Sequence, residues 1–281
     1  MKIPKRIQAL VEEGLVDDVI RQLMSGKEAT VYVVRCGEDI RCAKVYKEAN
    51  QRSFRQAASY QEGRKVKNSR QARAMEKGTK YGRKMQEEVW QNAEVDALYR
   101  LAAAGVRVPK PYICFEGVLL MDLVTDAAGN AAPRLNDVEL SVAQALDYHA
   151  QLLHQVVLML CAGVIHGDLS EFNILVDSDG PVIIDLPQAI DAASNTEAGV
   201  MLERDVANLA TYFGQFAPQL THSQYGKEIW ALYQAGLLLP ETVLTGRVAA
   251  DMRPANVGAV LHEIQLARKE EEERTRYQQE Q

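Results

Sequence analysis

The chain has 281 residues, of which 47% are hydrophobic, 25% charged and 6% aromatic, which is the composition of an ordinary globular protein with a mainly aliphatic core. It has no run of about eighteen apolar residues, which excludes a transmembrane helix, and no apolar stretch behind its basic N-terminus, so we expect a cytoplasmic protein without a secretory signal. The formal net charge of −6 is unevenly spread, because segment 47–85 holds twelve basic and three acidic residues.

The N-terminal part of the chain predicts a short helix and then an antiparallel sheet. Residues 4–13 place Ile7, Leu10 and Val11 on one helical face, and Gly14 follows as a stop signal. Runs of β-branched and aromatic residues then predict five strands, around Val19–Leu23, Val31–Val34, Ile40–Tyr46, Ile113–Glu116 and Val118–Leu123. We therefore expect an α+β protein with a five-stranded N-terminal sheet.

The turn between the first two predicted strands reads Ser25-Gly26-Lys27-Glu28-Ala29 and is a candidate phosphate-binding loop. Such a turn offers backbone N–H groups to an anion, and here the Ser25 hydroxyl and the Lys27 ammonium would add polar contacts. One glycine in a turn is a weak signal by itself, so the loop gains meaning only beside the other motifs.

Lys44 lies in the middle of the third predicted strand among apolar neighbours, which is where kinases place the lysine that binds phosphates. A lysine in such surroundings needs an acidic partner from a nearby helix. Residues 90–101 predict a helix, and Glu94 borders its apolar face. We predict that Glu94 pairs with Lys44 and that Asp96 is solvated.

The basic segment 47–85 has little apolar periodicity and contains several glycines, so we expect a flexible loop. Two interpretations stay open: a solvated linker, or a cationic arm that meets RNA, a ribosomal particle or an acidic partner. Its aromatic residues lie too far apart to form a stacking platform. Any contacts with nucleic acid would therefore be to phosphates and would weaken with salt.

The fifth strand ends in Met121-Asp122-Leu123-Val124, whose backbone groups are candidates for holding an adenine edge. The polar, small residues of Thr125–Pro133 then predict a linker between two lobes. After Leu135 the chain is mainly helical, in segments that we place at roughly 138–161, 200–216, 224–236 and 255–278. The last residues, 266–281, predict a charged, solvated tail.

The most informative stretch is Val164–Asp185, which carries an acid, an amide and a second acid. Asp168 and Asn173 precede a predicted hairpin, and Asp185 follows it, so the hairpin should bring Asn173 and Asp185 side by side. Their oxygen atoms suit Mg²⁺. The spacing of His166-Gly167-Asp168-Leu169 to Asn173 is that of kinase-like phosphotransferases, in which the first acid accepts the proton of the attacking hydroxyl.

Several other polar residues predict structural roles. His149 and His154 are five positions apart and share no helical face, so we assign neither to a metal. Asp205 is interpreted as a structural cap or ion-pair partner and not as a catalyst. The four cysteines form no CxxC motif and are expected to be reduced core thiols.

Taken in order, these motifs resemble the RIO atypical serine/threonine protein kinases, of the branch without an N-terminal winged helix. The matching segments, which run across nearly the whole kinase domain, are Ser25–Ala29 with Val31-Tyr32, Ala43–Tyr46, Trp90 with Glu94 and Leu98, Met121-Asp122, Gly129 with Ala132–Leu135, His166–Asn173, and Ile184-Asp185 with Gln188. Two features depart from the family pattern. Gly167 stands where these kinases usually have alanine, and Leu186-Pro187 replaces the residues that more commonly follow the metal-binding aspartate.

The resemblance implies a bilobal protein-kinase-like fold that binds ATP and Mg²⁺, with Mn²⁺ as an alternative ion. It implies catalytic roles for Asp168, Lys44 and Glu94, and metal ligation by Asn173 and Asp185. The implied nucleotide contacts are Ser25, Lys27, Glu28, Val31, Lys44, Met121, Asp122, Val124, Pro133, Leu175 and Ile184. The implied domains are an N-terminal lobe at 1–122, a catalytic lobe at 123–265 and the tail at 266–281. In this family the acid matching Asp185 can also take up phosphate.

Three functions fit the sequence. The first is a RIO-type protein kinase that phosphorylates serine or threonine and itself. The second is an ATPase switch that assembles ribosomal or other RNA–protein particles, which the basic segment and the missing Ala-Pro-Glu activation segment favour. The third is a small-molecule kinase, because His166-Gly167-Asp168 is typical of aminoglycoside and choline kinases.

Overall fold

A five-stranded antiparallel sheet forms the N-terminal part of the protein in a computed structural model that describes residues 3–26, 28–47 and 93–248. The strands are β1 (Asp18–Ser25), β2 (Ala29–Cys36), β3 (Asp39–Tyr46), β4 (Pro111–Phe115) and β5 (Val118–Asp122). Their order across the sheet is β1-β2-β3-β5-β4, with every neighbouring pair antiparallel. The predicted five-stranded sheet is therefore confirmed.

The β4–β5 hairpin shows how local sequence fixes strand register. Phe115 pairs with Val118, so the connection has only two residues, Glu116 at φ 45° and Gly117 at φ 74°. Positive φ at both central positions is the geometry whose twist matches that of the flanking strands. Glycine adopts it without strain, which is why the turn predicted at Gly117 falls there.

The first helix, α1 (Lys5–Glu12), covers one face of this sheet, as its amphipathic pattern predicts. Ile7 and Leu10 are fully buried and pack in a cluster with sheet residues that include Val34, Ala43 and Val118. Each such side chain gains roughly 1.5–3 kcal/mol on burial. The opposite face of the sheet carries Lys44. This face contributes to a second, larger hydrophobic cluster and to the candidate site.

A second helix, α2, comprises residues 93–103 among those described and packs against that opposite face through Val95, Leu98 and Leu101. Asp96 is exposed on α2, as predicted, whereas Glu94 is only 4% exposed. The helix therefore holds one carboxylate inside the protein and one in solvent.

The C-terminal part is mainly helical. Its elements are α3 (Val142–Cys161), β6 (Val164–Ile165), β7 (Ile174–Asp177), β8 (Gly180–Ile183), β9 (Ile190–Asp191), α4 (Ala198–Gly214) and α5 (Tyr225–Gln234), with short 3₁₀ turns at Leu135–Asp137, Glu171–Asn173 and Pro218–His222. Most of the larger hydrophobic cluster lies here, and the rest comes from α2 and the sheet. Strand β7 pairs with β8, and β6 pairs with β9. The two-residue pair β6–β9 was not predicted, because runs so short carry no periodicity.

Two boundaries predicted from the sequence are wrong. Helix α3 begins at Val142 and not near 138, because Ser141 caps it: Ser141 Oγ accepts from the backbone N–H of Gln144, whose side chain reaches back to the Ser141 N–H. The hairpin turn, which the sequence predicts over the five residues 177–181, is also tighter than predicted. Asp177 pairs with Gly180, so only two residues form the connection, and the Asp177 carboxylate accepts the N–H groups of Asp179 and Gly180.

The cysteine prediction is only partly correct. All four cysteines are free, but only Cys42 is buried, while Cys114 and Cys161 are exposed. Cys161 lies at the last position of α3, where the helical pattern gives no reason for burial. His149, in contrast, packs in the core edge-on to Phe213 at 5.6 Å between ring centroids, and burial lowers its pKa to about 4.

Several predictions fall outside the described residues: Lys27, most of the basic segment 47–85, the helix at 255–278 and the tail at 266–281. The division of the chain at 122/123 and 265/266 stays a prediction. Within the described ranges, no helix combines the length and the apolarity that crossing a bilayer requires.

Candidate active site

Lys44 is the centre of a three-way ionic contact. Its Nζ donates to Glu94 Oε1 at 2.5 Å and to Asp185 Oδ1 at 2.8 Å. These partners lie 50 and 141 positions away in the chain, on α2 and just after β8. The predicted pairing of Lys44 with Glu94 is therefore present, and one ammonium joins the sheet, the helix and the hairpin.

The ion pair lies largely inside the protein, with side-chain exposures of 10% for Lys44 and 5% for Glu94. Burial alone would lower the pKa of Lys44, but the carboxylates of Glu94 and Asp185 outweigh it and raise the pKa above its ordinary value. For Asp185, burial acts to raise the pKa, yet the Lys44 ammonium lowers it overall. Both groups are therefore held in their charged forms.

Tyr46 is a neighbour of this ion pair that the sequence did not reveal. It lies two positions beyond Lys44 on β3, and its ring centroid is 5.6 Å from Lys44 Nζ. The side chain is 3% exposed, and its hydroxyl makes no hydrogen bond within the part of the chain that is described. Tyr46 therefore shields the Lys44 ammonium from solvent. This shielding strengthens the attraction between the ammonium and the two carboxylates.

The loop after β6 carries the predicted motif and is fixed by backbone contacts. His166 Nε2 lies 3.0 Å from the carbonyl oxygen of Ile184, and the N–H of Asp168 donates to His166 Nδ1 at 3.2 Å. Gly167 has φ 80°, in the left-handed region that favours glycine. This conformation gives a local reason for glycine where the resembling kinases usually have alanine.

Asp205, on α4, binds the backbone of this loop. Its carboxylate accepts the N–H of Gly167 at 2.7 Å and that of Leu169 at 3.1 Å, on either side of Asp168. Arg204 donates to the Gly167 carbonyl, and Asn208 Nδ2 donates to that of Leu169 at 3.0 Å. This agrees with the predicted structural role, because Asp205 caps two N–H groups of the loop and thereby orients the backbone that presents Asp168.

The stability of the protein should fall relative to that of an Asp205→Asn variant as pH rises from about 4 to about 6. Burial raises the pKa of Asp205 from 3.8 to about 6, so in this window the folded state binds a proton that the unfolded chain has lost. The stabilising contribution is therefore present below about pH 4 and is lost above about pH 6. Thermal unfolding across this range measures it, with Asp179→Asn, an exposed turn substitution, as the control. Parallel curves for the parent and Asp205→Asn would contradict the prediction.

The hairpin brings Asn173 and Asp185 to neighbouring positions. Ile174 pairs with Ile183, and the N–H of Ile184 donates to the Asn173 carbonyl at 2.9 Å. Asp185 has φ 66°, a conformation that costs a non-glycine residue on the order of 1–3 kcal/mol and persists where surrounding contacts impose it. Here the Ile184 contact and the Lys44 ammonium impose it, which turns the carboxylate toward Lys44.

Asp168 lies next to this pair. Asn173 Nδ2 donates to the Asp168 carbonyl oxygen at 2.8 Å, and Gln188 Nε2 lies 3.4 Å from Asp168 Oδ2. Reduced solvation raises the pKa of Asp168, an effect that His166 and Arg204 oppose and that Asp185 reinforces. A raised pKa makes this carboxylate a better proton acceptor. Asp168 is nevertheless exposed, so an acceptor hydroxyl can reach it.

The donor set fits a hard divalent cation. Because the Asn173 amide nitrogen is bonded to a carbonyl, its Oδ1 is the atom left to accept, and the Asp185 carboxylate is ionised and exposed. One carboxylate and one amide oxygen suit Mg²⁺, which keeps waters and takes phosphate oxygens as further ligands. No cluster of three or more His, Cys, Asp or Glu side chains with metal-binding geometry occurs among the described residues. These residues therefore form no site in which protein side chains alone would surround a metal ion.

The predicted nucleotide contacts form two apolar layers. Val31 pairs with Lys44 across β2 and β3, and Met121, two positions from the Lys44 partner Leu119, lies on the same face of the sheet. On the hairpin, Leu175 is half-buried between the buried residues Ile174 and Val176, so it faces away from the core. Ile184 is also half-buried. These residues line the region beside Lys44 and Asp185.

The candidate phosphate turn is held by a lysine that the sequence placed in the basic segment. Lys47 Nζ donates to the Gly26 carbonyl at 2.6 Å and to Ser25 Oγ at 3.2 Å. The Ser25 hydroxyl also lies 3.2 Å from Thr30 Oγ1, and Glu28 accepts the Lys47 N–H through its carbonyl at 2.8 Å. Ser25 and Glu28 therefore lie where the sequence predicts, in a turn tied to the end of β3.

The hinge, Met121–Val124, is the segment predicted to hold an adenine edge, and it offers backbone groups more than side chains. The Asp122 carboxylate is occupied by the Tyr112 hydroxyl at 2.5 Å. The Val124 carbonyl accepts the N–H of Ala132 at 2.9 Å, and the Pro133 carbonyl accepts that of Val176 at 2.9 Å. The segment thus crosses from the sheet to the hairpin and passes along the edge of the two apolar layers.

Comparison with known proteins identifies the same region. The family described as the RIO domain matches residues 30–225. The chain is similar to the RIO-type serine/threonine-protein kinase Rio1 of Haloferax volcanii, at 33% identity over 74% of this chain and 67% of that protein. It is also 33% identical to the Rio1 of Methanocaldococcus jannaschii, over 67% of this chain and 60% of that protein.

The human serine/threonine-protein kinase RIO1 is 29% identical over 73% of this chain, but over only 34% of its own length. This chain therefore spans between a third and two thirds of the length of the relatives described here. The matched region contains Lys44, Glu94, Asp168, Asn173 and Asp185, and it begins after the phosphate turn.

Proposed function

The chain belongs to the RIO domain family, and from this membership and the geometry of the candidate site we propose that it is an ATP- and Mg²⁺-dependent serine/threonine protein kinase that also phosphorylates itself. The observation that carries the proposal is the bridge from Lys44 to Glu94 and Asp185 at 2.5 and 2.8 Å. It unites a strand lysine, a helix acid and a post-hairpin acid, which are the three charged groups that kinases use to place a triphosphate.

Each charged side chain has a proposed task. Lys44, kept charged and oriented by Glu94, binds phosphate oxygens when the nucleotide enters, and the Ser25 turn, with Lys27, covers them. Asn173 and Asp185 hold Mg²⁺, with Mn²⁺ as an alternative. When bound there, the ion would neutralise charge on the transferring phosphoryl group. The adenine lies between Val31 and Leu175, beside Met121 and Ile184, and its edge meets the backbone of Asp122 and Val124, with Pro133 at the border.

Asp168 orients the acceptor. The hydroxyl oxygen of a serine or threonine attacks the γ-phosphorus, the bond from that phosphorus to the ADP oxygen breaks, and the hydroxyl proton passes to the Asp168 carboxylate. The backbone around Asp168 is fixed by Asp205 and His166, so the carboxylate is already in place before the acceptor arrives. Positioning of this kind supplies much of the rate in phosphoryl transfer.

A second candidate, an ATPase switch on RNA–protein particles, is favoured by the short chain after Asp185. Helix α4 begins at Ala198, so only about a dozen residues separate it from Asp185, and they include the strand β9. A long activation segment that would dock a peptide has no room there. The RNA or ribosomal partner would meet the basic segment, and the protein would act in the cytoplasm.

Incubation with Mg²⁺ and ATP labelled at the γ-phosphate tests the proposal. We expect acid-stable label on serine or threonine of the protein itself, absent in Asp168→Asn and retained in the exposed-turn variant Asp179→Asn. Release of labelled phosphate that RNA or ribosomal particles stimulate, with no label on protein, would favour the ATPase switch. Label on neither protein nor phosphate, with intact ATP, would refute both candidates.

A further inference from the structure

Arg134 lies at the rim of the candidate nucleotide site. It falls within the Ala132–Leu135 segment that resembles the kinase family, but the sequence assigns no role to its side chain. It belongs to the segment between the hinge and α3, and its backbone forms an antiparallel bridge with Leu175 of β7. The adjacent contact, from the N–H of Val176 to the carbonyl of Pro133 at 2.9 Å, fixes the same segment against the hairpin. Arg134 is therefore held in place by the element that leads to Asp185.

The bridge determines where the Arg134 side chain points. Directly opposed residues in an antiparallel pair place their side chains on the same face. Leu175 is half-buried between buried neighbours, so its side chain, and with it that of Arg134, lies on the face of β7 that looks away from the core. That face is the floor of the proposed nucleotide site.

The guanidinium of Arg134 extends from this floor to the opposite wall. Its Nη2 lies 3.6 Å from Met24 Sδ, on β1, one residue before Ser25 of the phosphate turn. A thioether is a weak acceptor. This is the only side-chain hydrogen bond that the guanidinium makes with the described residues.

The charges around the site favour a further cation beside a bound triphosphate. Glu94, Asp168 and Asp185 bring three carboxylates, whereas Lys44, Arg204 near Asp168 and, in the proposed function, Lys27 bring cations. A triphosphate adds further negative charge, which the metal neutralises only in part. A guanidinium presents several N–H donors in a planar fork that matches phosphate oxygens, so it suits this position better than another ammonium would.

We propose that Arg134 is a phosphate-binding residue of the nucleotide site, which closes on the triphosphate from the β7 side while Lys44 binds it from the sheet. The inference rests on the proposed function, because it requires Mg²⁺–ATP to occupy the region between the phosphate turn and Asp185. The bound guanidinium leaves Met24 and donates to phosphate oxygens. The adenosine portion of the nucleotide does not depend on it.

Calorimetric titration with Mg²⁺–ATP, Mg²⁺–ADP and adenosine tests this assignment. Arg134→Gln should weaken Mg²⁺–ATP binding by about tenfold to hundredfold, the range for a hydrogen bond to a charged group, and should leave adenosine binding unchanged. Arg134→Lys keeps the positive charge but not the planar fork of donors. Its affinity for Mg²⁺–ATP should therefore lie between that of the parent and that of Arg134→Gln. The ADP result identifies the phosphate: equal loss for ADP points to the α or β group, and loss for ATP alone points to the γ group.

Two matched variants separate phosphate binding from other roles. Arg35→Gln, at the far end of β2 from the phosphate turn, should bind all three ligands as the parent does. Met24→Leu keeps an apolar side chain but removes the sulfur, and it should also leave Mg²⁺–ATP binding unchanged. If Met24→Leu reproduces the loss seen in Arg134→Gln, Arg134 acts by latching β1 and the assignment is wrong.

The remaining outcomes are also decisive. Equal weakening of ATP and adenosine in Arg134→Gln, or no weakening of ATP, would overturn the phosphate role while the proposed function stands. If the parent protein itself binds no Mg²⁺–ATP, the proposed function fails first and takes this inference with it. Unfolding temperatures of all variants, expected to match that of the parent, exclude misfolding as the cause.

Discussion

Replacement of Asp168 by asparagine should lower the rate of phosphoryl transfer by about 10²–10⁴-fold, the contribution of a positioned general base. Asparagine is nearly isosteric with aspartate, so the loop contacts through His166, Asp205 and Asn173 should survive. The affinity for Mg²⁺–ATP should therefore change little, because Asp168 acts on the acceptor. Single-turnover transfer of labelled phosphate measures the rate, and calorimetric titration measures the nucleotide affinity.

Asp179→Asn serves as the matched control for this experiment, because Asp179 is an exposed carboxylate at the tip of the β7–β8 hairpin. It should transfer phosphate at the rate of the parent. Asp185→Ala should also lower turnover by orders of magnitude, by removing a metal ligand. Near-normal turnover in both Asp168→Asn and Asp185→Ala would end the assignment of this site as catalytic.

Replacement of Lys44 by methionine should both abolish activity and destabilise the fold. The change leaves Glu94, with a side chain only 5% exposed, as an unpaired buried carboxylate. Loss of one partner of a buried ion pair costs about 3–5 kcal/mol in the free energy of unfolding. Urea unfolding of the parent and the variant measures this cost through the shift in midpoint.

The double variant Lys44→Met/Glu94→Gln distinguishes the structural effect from the catalytic one. Glutamine removes the buried charge, so the double variant should recover a large part of the lost stability. It should recover no phosphoryl transfer, because the phosphate-binding ammonium is still missing. Lys227→Met, an exposed lysine on α5, should resemble the parent in both measurements. A Lys44→Met variant as stable as the parent would show that the ion pair contributes nothing to folding.

Local sequence patterns were sufficient for much of the site. The β7–β8 hairpin follows from two apolar runs around an Asp-Gly turn, and its existence makes Asn173 and Asp185 neighbours whatever the rest of the chain does. The capping box of α3 was equally local, since Ser141 and Gln144 are three positions apart, and a search for that motif would have corrected the predicted start.

Other residues carry no local signal. Asp205 lies on an amphipathic helix where a carboxylate facing solvent and one facing the Asp168 loop look alike in sequence; its two N–H partners are 38 and 36 positions away. The contacts of the Arg134 and Lys47 side chains also depend on how distant strands pair. A short β-bridge turns Arg134 toward Met24, and the closing of β2 on β3 brings Lys47 to the phosphate turn.

Local patterns predicted the order of the strands along the chain, the acid–amide–acid series from Asp168 to Asp185, and the candidate partner of Lys44, because these depend on periodicity, turn chemistry and spacing. The folded protein adds three contacts that these patterns do not contain: Lys44 contacts both Glu94 and Asp185, Asp205 binds the loop, and Arg134 reaches across the site. Contacts between distant residues, and the burial that shifts their pKa values, arise when elements pack together. No single segment of the chain contains that information.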